Sequence, residues 1–311
     1  MIEVKAGGLS LFFEENAEEK TARLVSFKGS DSKLLIPETV CLNDTSYEVS
    51  EISKKAFLGC KGLKEVELHK GIRAVGDWGF SQCIHLRRVS FASINGVTLG
   101  KNVFEGCERL EEIRTGDKEE ALSKLLAAVV NRLPNSHLLN DSDIGSKEWY
   151  ERFDLGLKAF LLQDDYEGYS DRALCGEEDI SYDGIGSVDG ELLGESSAYV
   201  RKVSKDKCGL VLLRLSNNIF LEESMEAYLK EYIRLHSKGN GNEAAWTAIK
   251  EDFKDNLDYL ELYLLVAEVD AKGIDELISD MGNDMAQAKA FLIKKASGNG
   301  KTDNFFSDLM L

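Results

Sequence analysis

The stretches Ala56-Phe57-Leu58-Gly59-Cys60, Gly79-Phe80-Ser81-Gln82-Cys83 and Val103-Phe104-Glu105-Gly106-Cys107 are three copies of one pattern. Working outward, Phe57 is preceded by Ile52 and followed by Cys60, Leu63, Val66 and Leu68. Phe80 stands likewise among Val75, Cys83, Leu86, Val89 and Phe91, and Phe104 among Leu99, Cys107, Leu110, Ile113 and Thr115. The phenylalanines are 23 and 24 residues apart, and the offsets inside each unit agree. Agreement in both residue class and spacing marks an internal repeat. A unit this short cannot bury its own apolar residues, but stacked units bury them in one continuous column. The V-x-L alternation that closes the first unit suits a strand. The segment around Phe57 reads as a compact turn or short helix, with its ring stacked on Phe80 and Phe104.

The form I-x-x-x-A-F-x-G-C-x-x-L-x-x-V-x-L resembles the BspA-like (Treponema-type) leucine-rich repeat of bacteria. Leu35-Ile36-Pro37-Glu38-Thr39-Val40 is similar to the I-P-x-x-V segment of that family. The resemblance covers about residues 30–116. Gln82 stands where the family has Gly and Val103 where it has Ala, swaps expected to alter a turn without threatening the fold. The resemblance implies a solenoid that binds protein partners on its strand face and carries no catalysis. Ahead of the repeats, Leu9-Ser10-Leu11-Phe12-Phe13 and Ala22-Arg23-Leu24-Val25-Ser26-Phe27 read as a β-hairpin. It would cover the apolar end and open edge of the first repeat.

On the strand face, alternation turns Glu65 and Glu67 outward, then Arg88 and Ser90, then Glu112 and Arg114, with His69 after the first strand. These seven residues are the candidate binding site. Glu65, Arg88 and Glu112 hold equivalent places, so they can also satisfy one another as a cross-strand ladder of alternating charge. Cys60, Cys83 and Cys107 share one repeat position. Buried free cysteine acts as a small hydrophobe, so a core role is expected rather than a metal site.

After Gly116 the strand pattern stops and helical spacing begins. Stripes run through Leu122, Leu125, Leu126, Val129 and Leu133, and through Trp149, Phe153, Leu157, Phe160 and Leu161. Asp117 with Glu120 matches a capping box, and Ser146 is the expected cap of the second stripe. Further stripes are Met225, Leu229, Tyr232, Ile233; Leu257, Leu260, Leu264; Ile274, Leu277, Ile278, Met281; and Met285, Ala288, Phe291, Leu292. One or two more helices are expected near residues 190–216. Lys238-Gly239 and Lys272-Gly273 lie 34 residues apart, which raises the possibility of a helical repeat. The expected fold is therefore segregated α+β: a short leucine-rich-repeat solenoid with a hairpin cap over 1–116, then an acidic all-α domain over 117–311.

The chain has 311 residues, with 55 acids against 38 bases, a formal charge of −17. Residues 1–116 hold 17 acids and 16 bases, so nearly all the excess lies in the helical part. Such a balance argues against nucleic acid and anionic lipid as partners and favours a protein partner, a basic one included. No apolar run approaches 18 residues, so no membrane insertion is expected. The six cysteines include no C-x-x-C pair. Their pattern suits a reducing compartment, and the cytoplasm is the expected location, with the cell surface instead if a leader peptide has been removed.

Chemistry-bearing motifs are weak. Asp179, Ser181, Asp183 and Gly184 match the first half of a calcium loop, but Gly190 stands where its final ligand belongs. Gly184, Gly186 and Gly190 lack the apolar strand that a dinucleotide loop requires. The four histidines are scattered, and no HExxH, GxSxG or Walker sequence occurs. Trp149, Tyr150 and Trp246 fall on helical stripes and read as core. The sequons at Asn43 and Asn140 read as coincidental. No cofactor, metal or enzymatic activity is expected. The reading is a non-catalytic bacterial interaction scaffold. A cell-surface adhesin and a hydrolase with a carboxylate site between the modules are the alternatives.

Overall fold

The fold is that of a computed structural model, which describes residues 1–42, 44–116, 120–133, 136–140, 142–166, 188–240 and 242–297. Two compact units result, Met1–Leu162 and Gln163–Leu311. Asn43, Asp117, Cys175, Asp179, Ser181, Asp183, Gly184 and Gly186 lie outside the described residues.

In the first unit, β1 (Ile2–Ala6), β2 (Leu9–Asn16) and β3 (Thr21–Gly29) form an antiparallel meander. Then come β4 (Lys33–Leu35), a hairpin of β5 (Thr39–Leu42) and β6 (Thr45–Ile52), β7 (Glu65–Leu68), β8 (Ala74–Val75), β9 (Arg88–Phe91), β10 (Thr98–Leu99) and β11 (Glu112–Thr115). Each repeat contributes one strand to each of two ladders. One ladder runs β3-β6-β8-β10 and the other β4-β7-β9-β11, and both are parallel. The hairpin cap seen in the sequence is β2 with β3, and β1 lengthens it.

The six repeat positions explain the column. In all three copies the residue at each of them is no more than 6% exposed. The Phe57 and Phe80 rings lie 5.0 Å apart and nearly parallel, and Phe80 and Phe104 lie 5.8 Å apart. The cysteines add something their size alone does not supply. Cys83 Sγ donates to the Phe57 carbonyl at 3.2 Å, and Cys107 Sγ to the Phe80 carbonyl at 3.1 Å. Each thiol therefore ties a turn to its predecessor while filling the core. Burial pushes the Cys60 thiol up, so Cys60 stays a thiol rather than a reactive thiolate. Gly59, Gln82 and Gly106 have φ of 70°, 59° and 71°. Gln82 thus keeps the left-handed turn in which its neighbours use glycine, rather than altering it.

The column also reaches back into the cap. Leu24 pairs with Ile52, Leu34 pairs with Val66, and the Phe27 ring stacks on Phe57 at 5.2 Å. At its far end Thr115 takes the place of Leu68 and Phe91, and its buried hydroxyl has no partner among the described residues. An unsatisfied buried hydroxyl is destabilising, so Thr115→Val is expected to raise stability by about 1 kcal/mol. A thermal melt with a lower midpoint than the parent would contradict this.

Strands end at Thr115 and α1 (Glu120–Asn131) follows, packed on β11. The compact unit therefore runs past Gly116 and takes in α2 (Lys147–Leu162). Ser146 caps α2, accepting from the Trp149 N–H at 3.1 Å. Trp149 is fully buried, and its indole donates to the Leu138 carbonyl.

The second unit is helical: α3 (Val188–Ser216), α4 (Glu223–Leu235), α5 (Ala244–Glu251), α6 (Leu257–Val266), α7 (Ala271–Asp280) and α8 (Ala286–Ser297). Helix α3 packs against α4, α5 and α6. Its C-terminal half is buried nearly all round, at Cys208 and from Leu210 to Leu213, as suits a central helix. Asn256 and Asp270 cap α6 and α7 through their side chains. The two Lys-Gly pairs do not mark a repeat. Gly239 sits in the loop before α5 with φ of 83°, whereas Gly273 lies inside α7.

Asp280 is a hub of this unit. It accepts from the buried Trp246 indole at 2.6 Å and from Lys250 at 2.7 Å, and Lys238 lies 3.4 Å away. The hydrogen bond from Lys250, then that from Trp246, lowers its pKa to about 2. A depressed carboxyl contributes stability above its unfolded pKa and loses it as pH falls through the folded value. Acid titration is therefore expected to loosen the Trp246 environment between about pH 4 and pH 2, and Asp280→Asn to remove that dependence. Trp246 near-UV signal that is flat over this window in the parent would contradict the assignment.

Candidate protein-binding face

The outward residues of β4, β7, β9 and β11 form two rows set by register. One row is Lys33, Glu65, Arg88 and Glu112, and the other is Leu35, Glu67, Ser90 and Arg114. Because the ladder is parallel and in register, equivalent repeat positions stand side by side.

The first row closes on itself. Arg88 Nη1 meets Glu65 Oε1 at 3.0 Å, and Arg88 Nε meets Glu112 Oε2 at 2.9 Å. The second row joins it along β11, with Arg114 on Glu112 at 2.7 Å, and diagonally, with Lys33 on Glu67 at 2.6 Å. Glu112 is the best shielded, its side chain 13% exposed. Burial pushes its carboxyl up, but hydrogen bonds from Arg88 and Arg114 outweigh that and hold it below the ordinary value. The result is a face of fixed side chains with little net charge. Exposed pairs contribute little stability by themselves, but here each long side chain is held in one position.

Six of the seven expected site residues are thus brought together: Glu65, Glu67, Arg88, Ser90, Glu112 and Arg114. His69 is not. It lies beyond the end of β7, half-buried, where its Nδ1 accepts from the Gly71 N–H at 3.1 Å. Burial lowers its pKa, so the ring is neutral at pH 7. Lys33 and Leu35 belong to the face and were missed. The available signal was Leu34 two residues before Ile36, as Val66 stands before Leu68. Leu35 is 59% exposed and supplies an apolar patch beside the charges.

In the second unit, acids outnumber bases by 30 to 16. Among the described residues many of those bases are taken up internally. Lys205 pairs with Glu251 and Asp252, Arg234 with Glu268, Lys254 with Asp284 and Lys295 with Glu261. The surplus charge is therefore carboxylate. Among the described residues no helix is long and apolar enough to cross a membrane.

Two parallel ladders, a stacked Phe column and one strand pair per turn define a leucine-rich-repeat solenoid followed by a helical region. Residues 41–126 match, specifically, the BspA type leucine rich repeat region, in six copies. No curated protein matches the chain. Among solved structures, the chain is similar to a leucine rich cell surface protein from Faecalibacterium prausnitzii A2-165 at 25% identity, covering 35% of this chain and 29% of that one, TM-score 0.31. It is also similar to a leucine-rich repeat protein from Bacteroides capillosus at 22% identity, covering 40% and 92%, TM-score 0.32. A third is the T. pallidum leucine rich repeat protein, at 22% identity, covering 36% and 49%, TM-score 0.30. The chain spans under a third of the F. prausnitzii protein and about half of the T. pallidum one.

Proposed function

We propose that this chain is a non-catalytic protein–protein interaction scaffold. The strand face of β4, β7, β9 and β11 is its rigid docking platform, and the surplus carboxylates of the helical unit steer a basic partner toward it. The observation that carries the reading is the Glu65–Arg88–Glu112–Arg114 network. It fixes outward side chains on a flat ladder, so docking needs little further ordering of the surface. A face already neutralised from within recognises by shape and local contact, and the acidic unit contributes long-range attraction and on-rate. Capture from native lysate at low salt and again at about 0.5 M salt tests this, because screening removes the steering. Several-fold weaker capture at high salt is expected. Salt-insensitive capture, or none, contradicts the steering role.

The repeat type supports a second reading, a cell-surface adhesin, against the cytoplasmic location expected from the cysteines. Protease shaving of intact cells separates the two. Loss of the protein from the cell-associated fraction marks the surface reading, and full protection marks the cytoplasmic one.

A further inference from the structure

We propose that the turns after β6, β8 and β10 carry a second docking surface, built around Trp78 and specific for an acidic peptide segment of a partner protein. Each of these turns places one residue in the left-handed region: Lys55, Trp78 and Asn102, with φ of 61°, 53° and 54°. Asparagine tolerates this region, whereas a bulky aromatic there is an outlier that calls for a reason. The Trp78 N–H donates to the Lys101 carbonyl at 2.9 Å, so the turn is held by the next repeat.

Trp78 is also the one partly exposed tryptophan, since Trp149 and Trp246 are fully buried. Lys54 Nζ lies 4.8 Å and Lys55 Nζ 5.5 Å from its ring centroid. Lys101 holds the place equivalent to Lys54 two repeats on. Asp77 stands between these two in the row, but its carboxylate accepts from the Lys101 N–H at 2.8 Å. Among the described residues none of the three ammonium groups is ion-paired, in contrast to Lys33, Arg88 and Arg114 on the strand face. The Trp78 indole N–H is likewise without a partner there.

Two ammonium groups over one ring repel each other, and the ring offsets only part of that repulsion. A carboxylate completes the arrangement. It can accept from the indole N–H and pair with Lys54, Lys55 or Lys101, while an apolar stem lies on the ring. A peptide fits better than nucleic acid. Three cations release few counterions, and a duplex offers no carboxylate on an apolar stem to lie against the ring.

The test uses the full chain and acrylamide quenching of tryptophan fluorescence, which reads Trp78 because the other two are buried. The probe is a decaglutamate peptide, with a decalysine peptide and a short DNA duplex as comparison arms. Decaglutamate is expected to lower the quenching constant about twofold, an effect lost at about 0.5 M salt. Lys54→Glu/Lys55→Glu/Lys101→Glu should weaken binding at least about tenfold. Trp78→Asn, which copies Asn102 of the next repeat, should weaken binding of a labelled decaglutamate without lowering the unfolding midpoint. Unchanged quenching, unchanged binding by the lysine variant, or tighter binding of the duplex or of decalysine would overturn the proposal. So would a Trp78→Asn protein that melts earlier yet binds as before, which would make the tryptophan purely structural.

Discussion

Phe80→Ala is expected to destabilise the repeat unit by about 3–5 kcal/mol. Phe80 is fully buried, with Phe57 at 5.0 Å on one side and Phe104 at 5.8 Å on the other. Its removal takes away the buried ring and both stacking partners, and leaves a cavity that turns hydrogen-bonded on each side cannot close. The Phe80 carbonyl accepts from Cys107, and its N–H donates to Val103, so the backbone there is held in place. Phe27→Ala is the internal comparison. Phe27 ends the column, is half-buried, and stacks on one side only. Its loss should cost about 1–2 kcal/mol. Urea unfolding of both variants checks this. Equal losses would show that the column does not carry the cooperativity assigned to it.

Lys207→Met is expected to cost about 3 kcal/mol in the helical unit. The Lys207 side chain is 1% exposed and donates to Asp165 at 2.7 Å and to the Gln163 carbonyl at 2.6 Å. Asp165 also accepts from the Ser204 hydroxyl, which in turn accepts from Asn242 at 2.8 Å. Removing the ammonium takes from the partly exposed Asp165 carboxylate and from the Gln163 carbonyl their buried cationic donor. Replacing both partners with apolar residues avoids that unpaired charge, so Lys207→Met/Asp165→Leu should lose less than Lys207→Met alone. Urea unfolding followed by Trp246 fluorescence separates these outcomes. A double variant worse than the single one would mean that the pair is not the dominant interaction of Lys207.

The repeat was legible because one period governs residue class, burial and register together. The eighteen residues from Ile52 to Thr115 that share the six positions could be placed in the core from spacing alone. Phe27 and Leu34 escaped because the spacing breaks at the cap. The connection from Leu68 to Val75 takes 7 residues, whereas that from Ile36 to Ile52 takes 16, since the β5–β6 hairpin is inserted there. The charge ladder could be foreseen from the equivalence of Glu65, Arg88 and Glu112. The links between rows could not, because the diagonal Lys33–Glu67 pair and the same-strand Arg114–Glu112 pair depend on side-chain direction rather than repeat position. His69 stands apart from the two rows because the strand ends at Leu68, after which alternation no longer sets the facing. The helices followed from apolar spacing, but the Asp280 hub joins residues 30 and 34 apart and leaves no local pattern to read.

The strand face is best tested by reversing its charges without breaking its pairs. In Glu65→Arg/Arg88→Glu/Glu112→Arg/Arg114→Glu every ion pair of the network is kept with opposite sign, so the fold and melting midpoint should be preserved. Partner capture from native lysate by this variant, beside the parent chain, is the direct measurement. The scaffold reading predicts that species held by the parent are lost, because local charge positions on the platform no longer match. Capture of the same species in the same amounts by a variant that melts like the parent would contradict it.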